Sequence, residues 1–78
     1  MSKKEFLVRL GKQIKFLRLK KNLRQAELAR RSMKDPQSLE RIENGKVNPS
    51  AYYLYEIANG LEVPVKELFE FREEDERQ

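Results

Sequence analysis

The sequence predicts an all-α fold of five short helices in a single domain. Along successive segments, apolar residues recur at intervals of three and four, as they do on the inward face of a helix. Residue types that start and stop helices separate these segments. No segment shows the period-two alternation of a half-buried strand, and only 3 of the 78 residues are glycine. A chain of this length has room for one modest core, and no internal repeat divides it.

The first helix is predicted from Lys3 to Lys21. Asn22 follows it, and asparagine tolerates the left-handed conformation that is common at the C-terminus of a helix. Four apolar residues at intervals of three and four share one face and are expected to pack on the core: Leu7, Leu10, Ile14 and Leu17.

The second helix is predicted from Gln25 to about Ser32, and the third over about residues 36–44. Asp35 and Pro36 form the start signal of the third helix, because aspartate caps free amides and proline needs no amide donor in the first turn. An Asn-Gly pair marks its end. The residues expected to face inward are Leu28 and Ala29 in the second helix and Leu39 and Ile42 in the third.

The fourth helix is predicted after Pro49, with Ser50 as its cap, and a short fifth helix is predicted after Pro64. The residues expected to face inward are Leu54, Ile57, Ala58 and Leu61 in the fourth helix and Val65 and Leu68 in the fifth. The folded domain is therefore expected to span residues 1–71. Residues 72–78 are charged or polar and carry no apolar side chain, so they are predicted to form a disordered tail.

Positive charge is concentrated in the N-terminal part of the chain. Residues 1–48 hold 14 Lys and Arg against 5 Asp and Glu, whereas residues 49–78 hold 3 against 8. The two parts therefore carry net charges of +9 and −5. This segregation favours a polyanionic partner such as nucleic acid. Ordinary solvation is the alternative, because 38% charged residues also keep a small domain soluble.

The composition excludes several kinds of chemistry. The chain has no cysteine and no histidine, so it lacks disulfides, thiolate metal sites and the commonest metal ligand. Neither a metal, a cofactor nor an enzymatic activity is predicted. No apolar run approaches the roughly 18 residues of a membrane span, and the chain start lacks the apolar stretch of a signal peptide. A soluble, cytoplasmic protein without a membrane partner is expected.

The segment at residues 23–46, LRQAELARRSMKDPQSLERIENGK, contains two short predicted helices joined by about four residues. It closely resembles the helix-turn-helix of the phage-repressor/Cro-like, or Xre, family of DNA-binding proteins. Residues 48–50 and 57–68 resemble the family's last two helices, so the resemblance covers roughly residues 8–69. Matches to the family's first helix are Leu10-Gly11, Ile14 and Leu17-Arg18. The resemblance implies a five-helix lambda-repressor-like domain that binds specific sequences of double-stranded DNA.

The sequence departs from the family pattern at three positions. Arg24 stands where a helix-capping Ser, Thr or Asn is usual, and arginine has no side-chain oxygen with which to cap. Met33 stands where the turn often has glycine, so the turn must form without one or carry strain. Pro36 occupies the first position of the third helix, where relatives often have a base-reading polar side chain.

In folds of this kind the third helix enters the major groove with its N-terminal residues at the base edges. The resemblance therefore implies base contacts for Gln37, Ser38 and Arg41. A glutamine amide can pair with adenine, and the arginine fork suits guanine. The alternative is that Gln37 and Ser38 are solvated first-turn residues and that Arg41 pairs on the surface with Glu40 or Asp35.

Contacts to the DNA backbone are expected from four residues: Gln25, Lys34, Asn44 and Lys46. Gln25 resembles the family's glutamine whose side chain and helix-terminal amides contact a phosphate. For the two lysines, general attraction to phosphate is the alternative to fixed contacts. In relatives, the residues that match Arg18 and Glu43 form an ion pair that braces the first helix against the third. Their implied role is structural.

A transcriptional regulator, and specifically a repressor that occludes a promoter, is the predicted function. Repressors of this type commonly bind palindromic sites as two-fold dimers. Tyr55, Phe69 and Phe71 are candidate dimer contacts, because the predicted core does not obviously accommodate them; the alternative is that they complete the small core. The rival function is an antitoxin-like or bridging module whose main partner is a protein.

Overall fold

The structure is a computed structural model that describes residues 1–72. These residues form four α-helices and one 3-10 helix, without a strand among them. The elements are α1 (Lys3–Lys20), α2 (Gln25–Arg31), α3 (Pro36–Glu43), α4 (Ala51–Leu61) and a terminal 3-10 helix (Val65–Phe69). The all-helical prediction is confirmed. The predicted fifth helix has 3-10 geometry, as is common for helical segments of so few residues.

Side-chain caps define the starts of three helices. The predicted caps of α3 and α4 are both present, because Asp35 and Ser50 each accept a hydrogen bond from a backbone amide of the first helical turn. The cap of α1 was missed. Ser2 Oγ accepts from the Glu5 amide at 3.1 Å, while the Ser2 amide donates to the Glu5 carboxylate at 3.3 Å. That backbone donor lowers the pKa of Glu5. The Ser-x-x-Glu spacing of this reciprocal cap was readable in the sequence.

The departures from the family pattern have visible consequences around α2. Arg24 supplies no oxygen to cap the helix; instead its amide donates to the Glu27 carboxylate at 2.9 Å. Met33, in the turn between α2 and α3, adopts a left-handed backbone with φ of 61°, and its side chain points into solvent. A residue with a Cβ pays about 1–2 kcal/mol for that conformation. The turn is therefore made without glycine and carries strain.

All five helical elements contribute to one core, which lies between them. Its buried apolar residues are Leu10, Ile14, Leu17, Leu23, Leu28, Ala29, Leu39, Ile42, Leu54, Ile57, Ala58, Leu61 and Leu68. Nearly all the residues predicted to face inward are among them. The exceptions are Leu7 and Val65, which are only partly buried. No helix within residues 1–72 is long and apolar enough to cross a bilayer.

Two contacts fix α1 against the elements that follow it. A Cβ added at Gly11 would lie 2.5 Å from the backbone oxygens of both Ile42 and Glu43, so only glycine lets the C-terminal end of α3 approach so closely. Gln13, although polar, is buried and donates through Nε2 to the Glu67 carbonyl at 2.8 Å, which attaches the 3-10 helix to α1. One side of α3 thus packs against α1 near Gly11, while Gln37, Glu40 and Arg41 on the other side of α3 are exposed to solvent.

Candidate nucleic-acid interface

The exposed face of α3 carries two of the three predicted base-contacting residues, Gln37 and Arg41. Leu39, Ile42 and Glu43 turn inward, whereas Gln37 and Arg41 are exposed. A shallow surface depression of about 420 Å³ is lined by Gln37, Glu40, Arg41 and Lys46. Within residues 1–72, Arg41 makes no ion pair with Glu40 or Asp35. An amide, a guanidinium and an ammonium group thus lie together beside the Glu40 carboxylate, and their hydrogen-bond donors are available to a ligand.

Ser38 lies beside this face, but its side chain is half-buried and forms hydrogen bonds within the protein. Its Oγ lies 3.0 Å from the Asp35 carbonyl oxygen and 2.9 Å from the Tyr53 hydroxyl on α4. Its backbone amide donates to the Asp35 carboxylate at 2.8 Å. Ser38, which was predicted to contact a base, is therefore hydrogen-bonded to Asp35 on one side and to Tyr53 on the other. The contribution of Tyr53 was not predicted, because the spacing of three tyrosines on α4 does not show which of them turns inward.

The residues predicted to contact the DNA backbone are placed in different surroundings. Gln25 donates through Nε2 to Glu43 Oε1 at 3.0 Å, which links α2 to α3. Lys34 pairs with Glu56, and its ammonium lies 4.7 Å from the centre of the Tyr53 ring, so its charge is directed at α4. The remaining two residues, Asn44 and Lys46, are exposed just beyond the end of α3.

Arg18 and Glu43 form a two-bond ion pair between α1 and α3. Arg18 Nε lies 2.7 Å from Glu43 Oε2, and Arg18 Nη2 lies 3.0 Å from Oε1. The third guanidinium nitrogen donates to the Leu23 carbonyl at 2.8 Å. The two side chains are only 8% and 2% exposed. Together with Gln25, which also bonds Glu43, the pair ties α1 and α2 to the C-terminal end of α3.

The candidate dimer contacts fall into two groups. Tyr55 is exposed on α4, and the centre of its ring lies 5.7 Å from that of Tyr52, with the two rings tilted by 31°. Phe69 and Phe71 both contact Phe6 at the start of α1, with ring centres 6.2 and 5.7 Å apart. Phe69 is exposed, whereas Phe71 packs partly against the core. Phe6 was not singled out in the sequence, although it stands four residues before Leu10 and so borders the apolar face of α1.

The end of the predicted domain lies close to α1. Arg72, assigned to the tail by the sequence analysis, is among the described residues, and its guanidinium lies 3.9 Å over the ring of Phe16. The rest of the predicted tail, residues 73–78, lies outside the described residues.

These features define a helix-turn-helix DNA-binding domain: α2 and α3 are joined by a short turn, and α3 offers polar and basic side chains on its free face. A family model described as Helix-turn-helix matches residues 14–68, more than half of the chain. The chain belongs to the Cro/C1-type helix-turn-helix family. The resemblance found in the sequence is thereby confirmed.

Known relatives and solved structures agree with this assignment. The chain is 37% identical over 62 residues to an uncharacterized HTH-type transcriptional regulator of Archaeoglobus fulgidus, and the match covers 80% of the chain and 87% of the relative. The restriction-modification controller protein C.AhdI of Aeromonas hydrophila superposes with a TM-score of 0.80 and 33% identity. That superposition covers 81% of the chain and 96% of C.AhdI.

Two further structures share the fold. The clp gene regulator ClgR of C. glutamicum has a TM-score of 0.77 and 25% identity over 81% of the chain and 82% of ClgR. The hypothetical transcription factor NHTF from Neisseria has a TM-score of 0.84 at 21% identity, over 99% of the chain and 88% of NHTF. The family and the regulators among its relatives establish that the chain is a sequence-specific DNA-binding regulator of transcription.

Proposed function

We propose that the protein is a repressor that binds a palindromic operator as a homodimer and occludes a promoter. Each subunit places α3 in the major groove of one half-site. The observation that carries the proposal is that Gln37 and Arg41 on the exposed face of α3 line one surface depression with Glu40 and with Lys46, which lies just beyond the helix. The proposed role is one of binding alone, without catalysis or a cofactor, and its site of action is the cytoplasm.

In this proposal the exposed side chains divide between bases and phosphates. Gln37 and Arg41 lie in the first and last turns of α3 and read base edges, for which an amide and a guanidinium have suitable donors. Asn44 and Lys46 follow the helix and contact the backbone. Gln25 offers a phosphate its second amide hydrogen, since the first is held by Glu43.

Ser38 and Lys34 have smaller parts in the proposed complex. The two protein partners of Ser38 leave its oxygen one lone pair, so it can only accept from a base. The ammonium of Lys34 is shared with Glu56, and it contributes mainly general attraction for the DNA. Neither residue has the free donors of Gln37 or Arg41.

The dimer is supported by aromatic side chains that the core leaves exposed or only partly covers. Tyr55 and Phe69 are exposed, and Phe71 lies next to Phe69 through their common contact with Phe6. Aromatic residues are enriched at protein interfaces, and a two-fold dimer matches a palindromic operator. The same aromatics favour the second candidate function, a bridging or antitoxin-like module that binds another protein.

Selection of bound duplexes from a random pool tests the proposed DNA recognition. We expect an inverted repeat whose half-site centres lie about 10 base pairs apart. At one fixed salt concentration, the selected duplex should bind at least about 1,000-fold more tightly than a scrambled duplex of the same composition. A pool that yields no enriched motif would contradict sequence-specific readout by α3.

Sedimentation of the protein with the selected duplex tests the dimer. Two chains per duplex at saturation are expected, and one chain per duplex would contradict the homodimer.

A different protein that copurifies with the chain and prevents DNA binding would support the antitoxin-like role instead. Repression itself is tested by transcription from a promoter that contains the selected site, which should fall when the protein is added.

A further inference from the structure

The N-terminal end of α3 contains a hydrogen-bond arrangement that bears on base selection. We infer that Tyr53 determines what Ser38 reads in DNA, by holding the Ser38 hydroxyl as a hydrogen-bond acceptor. Tyr53 lies on α4 and is 15 positions from Ser38 in the sequence, yet the two hydroxyl oxygens are 2.9 Å apart. The inference rests on the proposed placement of α3 in the major groove.

Counting hydrogens gives the direction of each bond. A serine hydroxyl has one hydrogen and two lone pairs. The Asp35 carbonyl can only accept, so the single hydrogen of Ser38 is donated to it across 3.0 Å. The Tyr53 hydroxyl must then be the donor to Ser38. One lone pair of the Ser38 oxygen remains, and it can only accept.

Tyr53 is itself held in place from several sides. Its ring packs partly against the core, and the ammonium of Lys34 lies 4.7 Å from the ring centre. Lys34 is in turn paired with Glu56, one turn further along α4. Burial raises the pKa of the Tyr53 hydroxyl, so the group keeps its hydrogen at neutral pH. Tyr53 therefore stays a donor with a fixed position.

An acceptor in the major groove distinguishes bases by their amino groups. Adenine and cytosine present an amino donor there, whereas thymine and guanine present only acceptors at the equivalent positions. Ser38 follows Gln37 and precedes Arg41 by one turn, so it lies between the two proposed readers. With its hydrogen committed to Asp35, Ser38 should favour adenine or cytosine over guanine or thymine on the strand that it faces.

Removing the Tyr53 hydroxyl should relax this preference. Without that donor the Ser38 hydroxyl is held by the Asp35 carbonyl alone, so the side chain can leave this single hydrogen bond, rotate about its Cα–Cβ bond and donate to thymine or guanine. Tyr53 contacts no base in this arrangement and acts as a positioning residue. A merely structural role would weaken binding to every duplex alike, whereas the positioning role changes the preference at one base pair.

The test uses the full chain and a selected duplex, with all four base pairs placed in turn at each operator position. The parent is compared with Tyr53→Phe, Ser38→Ala and the control Tyr52→Phe, which removes a hydroxyl from an exposed position of the same helix. At one position the parent should prefer an amino-bearing base by about 3–10-fold, the usual worth of one hydrogen bond. Tyr53→Phe and Ser38→Ala should each reduce that preference to less than about twofold, and Tyr52→Phe should leave it unchanged. Combining Tyr53→Phe with Ser38→Ala should have no further effect on it.

Three results would overturn the inference. Tyr53→Phe could keep the parent's preference at every position, or it could weaken all duplexes by the same factor. If Tyr53→Phe did not fold, an unchanged preference in Ser38→Ala would have the same meaning. If the parent bound the selected duplex no more tightly than a scrambled one, the proposed function would fail, and the inference with it. That outcome is distinct from the three above, because it shows in the parent protein and not in the variants.

Discussion

The two ends of α3 are held in different ways. At the C-terminal end, the buried Arg18–Glu43 ion pair and the close approach at Gly11 attach the helix to α1. At the N-terminal end, the neutral hydroxyls of Ser38 and Tyr53 attach it to α4, next to a strained and exposed turn. One end depends on buried charge and close packing, and the other on partly exposed hydrogen bonds.

This difference assigns the two ends to different properties of the protein. Removing one partner of a buried ion pair costs about 3–5 kcal/mol, whereas a neutral hydrogen bond contributes about 0.5–1.5 kcal/mol. The C-terminal end should therefore decide whether the domain folds. The N-terminal end carries Gln37 and Ser38, two of the three proposed base contacts, so it should influence how α3 reads DNA with little effect on folding.

The largest expected effect follows from breaking the ion pair. Arg18→Met or Glu43→Leu should each lower the free energy of unfolding by about 3–5 kcal/mol, because the remaining partner stays charged in a dry site. Combining the two substitutions should recover part of the loss. Chemical unfolding followed by circular dichroism measures both, with the exposed Arg31→Met as control. Single variants as stable as the parent would show that the pair contributes no such bracing.

A smaller loss is expected from Gly11→Ala, about 1–3 kcal/mol from overpacking at the same end of α3. The added Cβ meets backbone oxygens that cannot move without shifting α3. Gly60→Ala is the control, because the added Cβ would meet side chains and not backbone: the Ser32 hydroxyl, which can rotate, and a Leu28 methyl at 3.1 Å. Equal losses in the two unfolding curves would contradict the close approach of α1 to α3.

At the N-terminal end a substitution should stabilise the protein. Met33→Gly should raise the free energy of unfolding by about 0.5–1 kcal/mol, because glycine adopts the left-handed backbone without the strain. The Met33 side chain is 84% exposed, so removing it gives up little packing. Met33→Ala keeps the strain and should leave the unfolding curve unchanged. If Met33→Ala also raised the free energy of unfolding, the gain would come from removing the methionine side chain and not from relieving backbone strain.

The C-terminal end of α3 was largely predictable from the sequence. Asn44-Gly45 indicated where the helix stops, and the family resemblance implied the pairing of Arg18 with Glu43. Gly11 was recognised only as a match to the first helix of the family. Its role in packing follows from the short distances to the Ile42 and Glu43 backbone, which only the structure shows. The reciprocal cap of Ser2 and Glu5 had a readable signal that was overlooked.

The N-terminal end was less predictable, for physical reasons. Asp35 and Pro36 indicated where α3 starts, because capping is a local property of the sequence. The bond between Ser38 and Tyr53 depends on how α4 is rotated against α3, and three tyrosines on α4 are compatible with several rotations. The partner of Lys34 was equally hidden, since a lysine in a basic segment looks like a phosphate contact until Glu56 is placed beside it.

The central claim, that α3 reads bases with its exposed face, is tested most directly by Arg41→Ala. Its affinity is measured at fixed salt for the selected operator and for every single-base change of it, with Lys46→Ala in parallel. Arg41→Ala should cost about 1–3 kcal/mol on the preferred site and lose the preference at one base pair only. Lys46→Ala should weaken all duplexes alike and flatten the salt dependence by about one unit. If Arg41→Ala also weakens every duplex by the same factor, Arg41 contacts a phosphate and the proposed readout by α3 is contradicted.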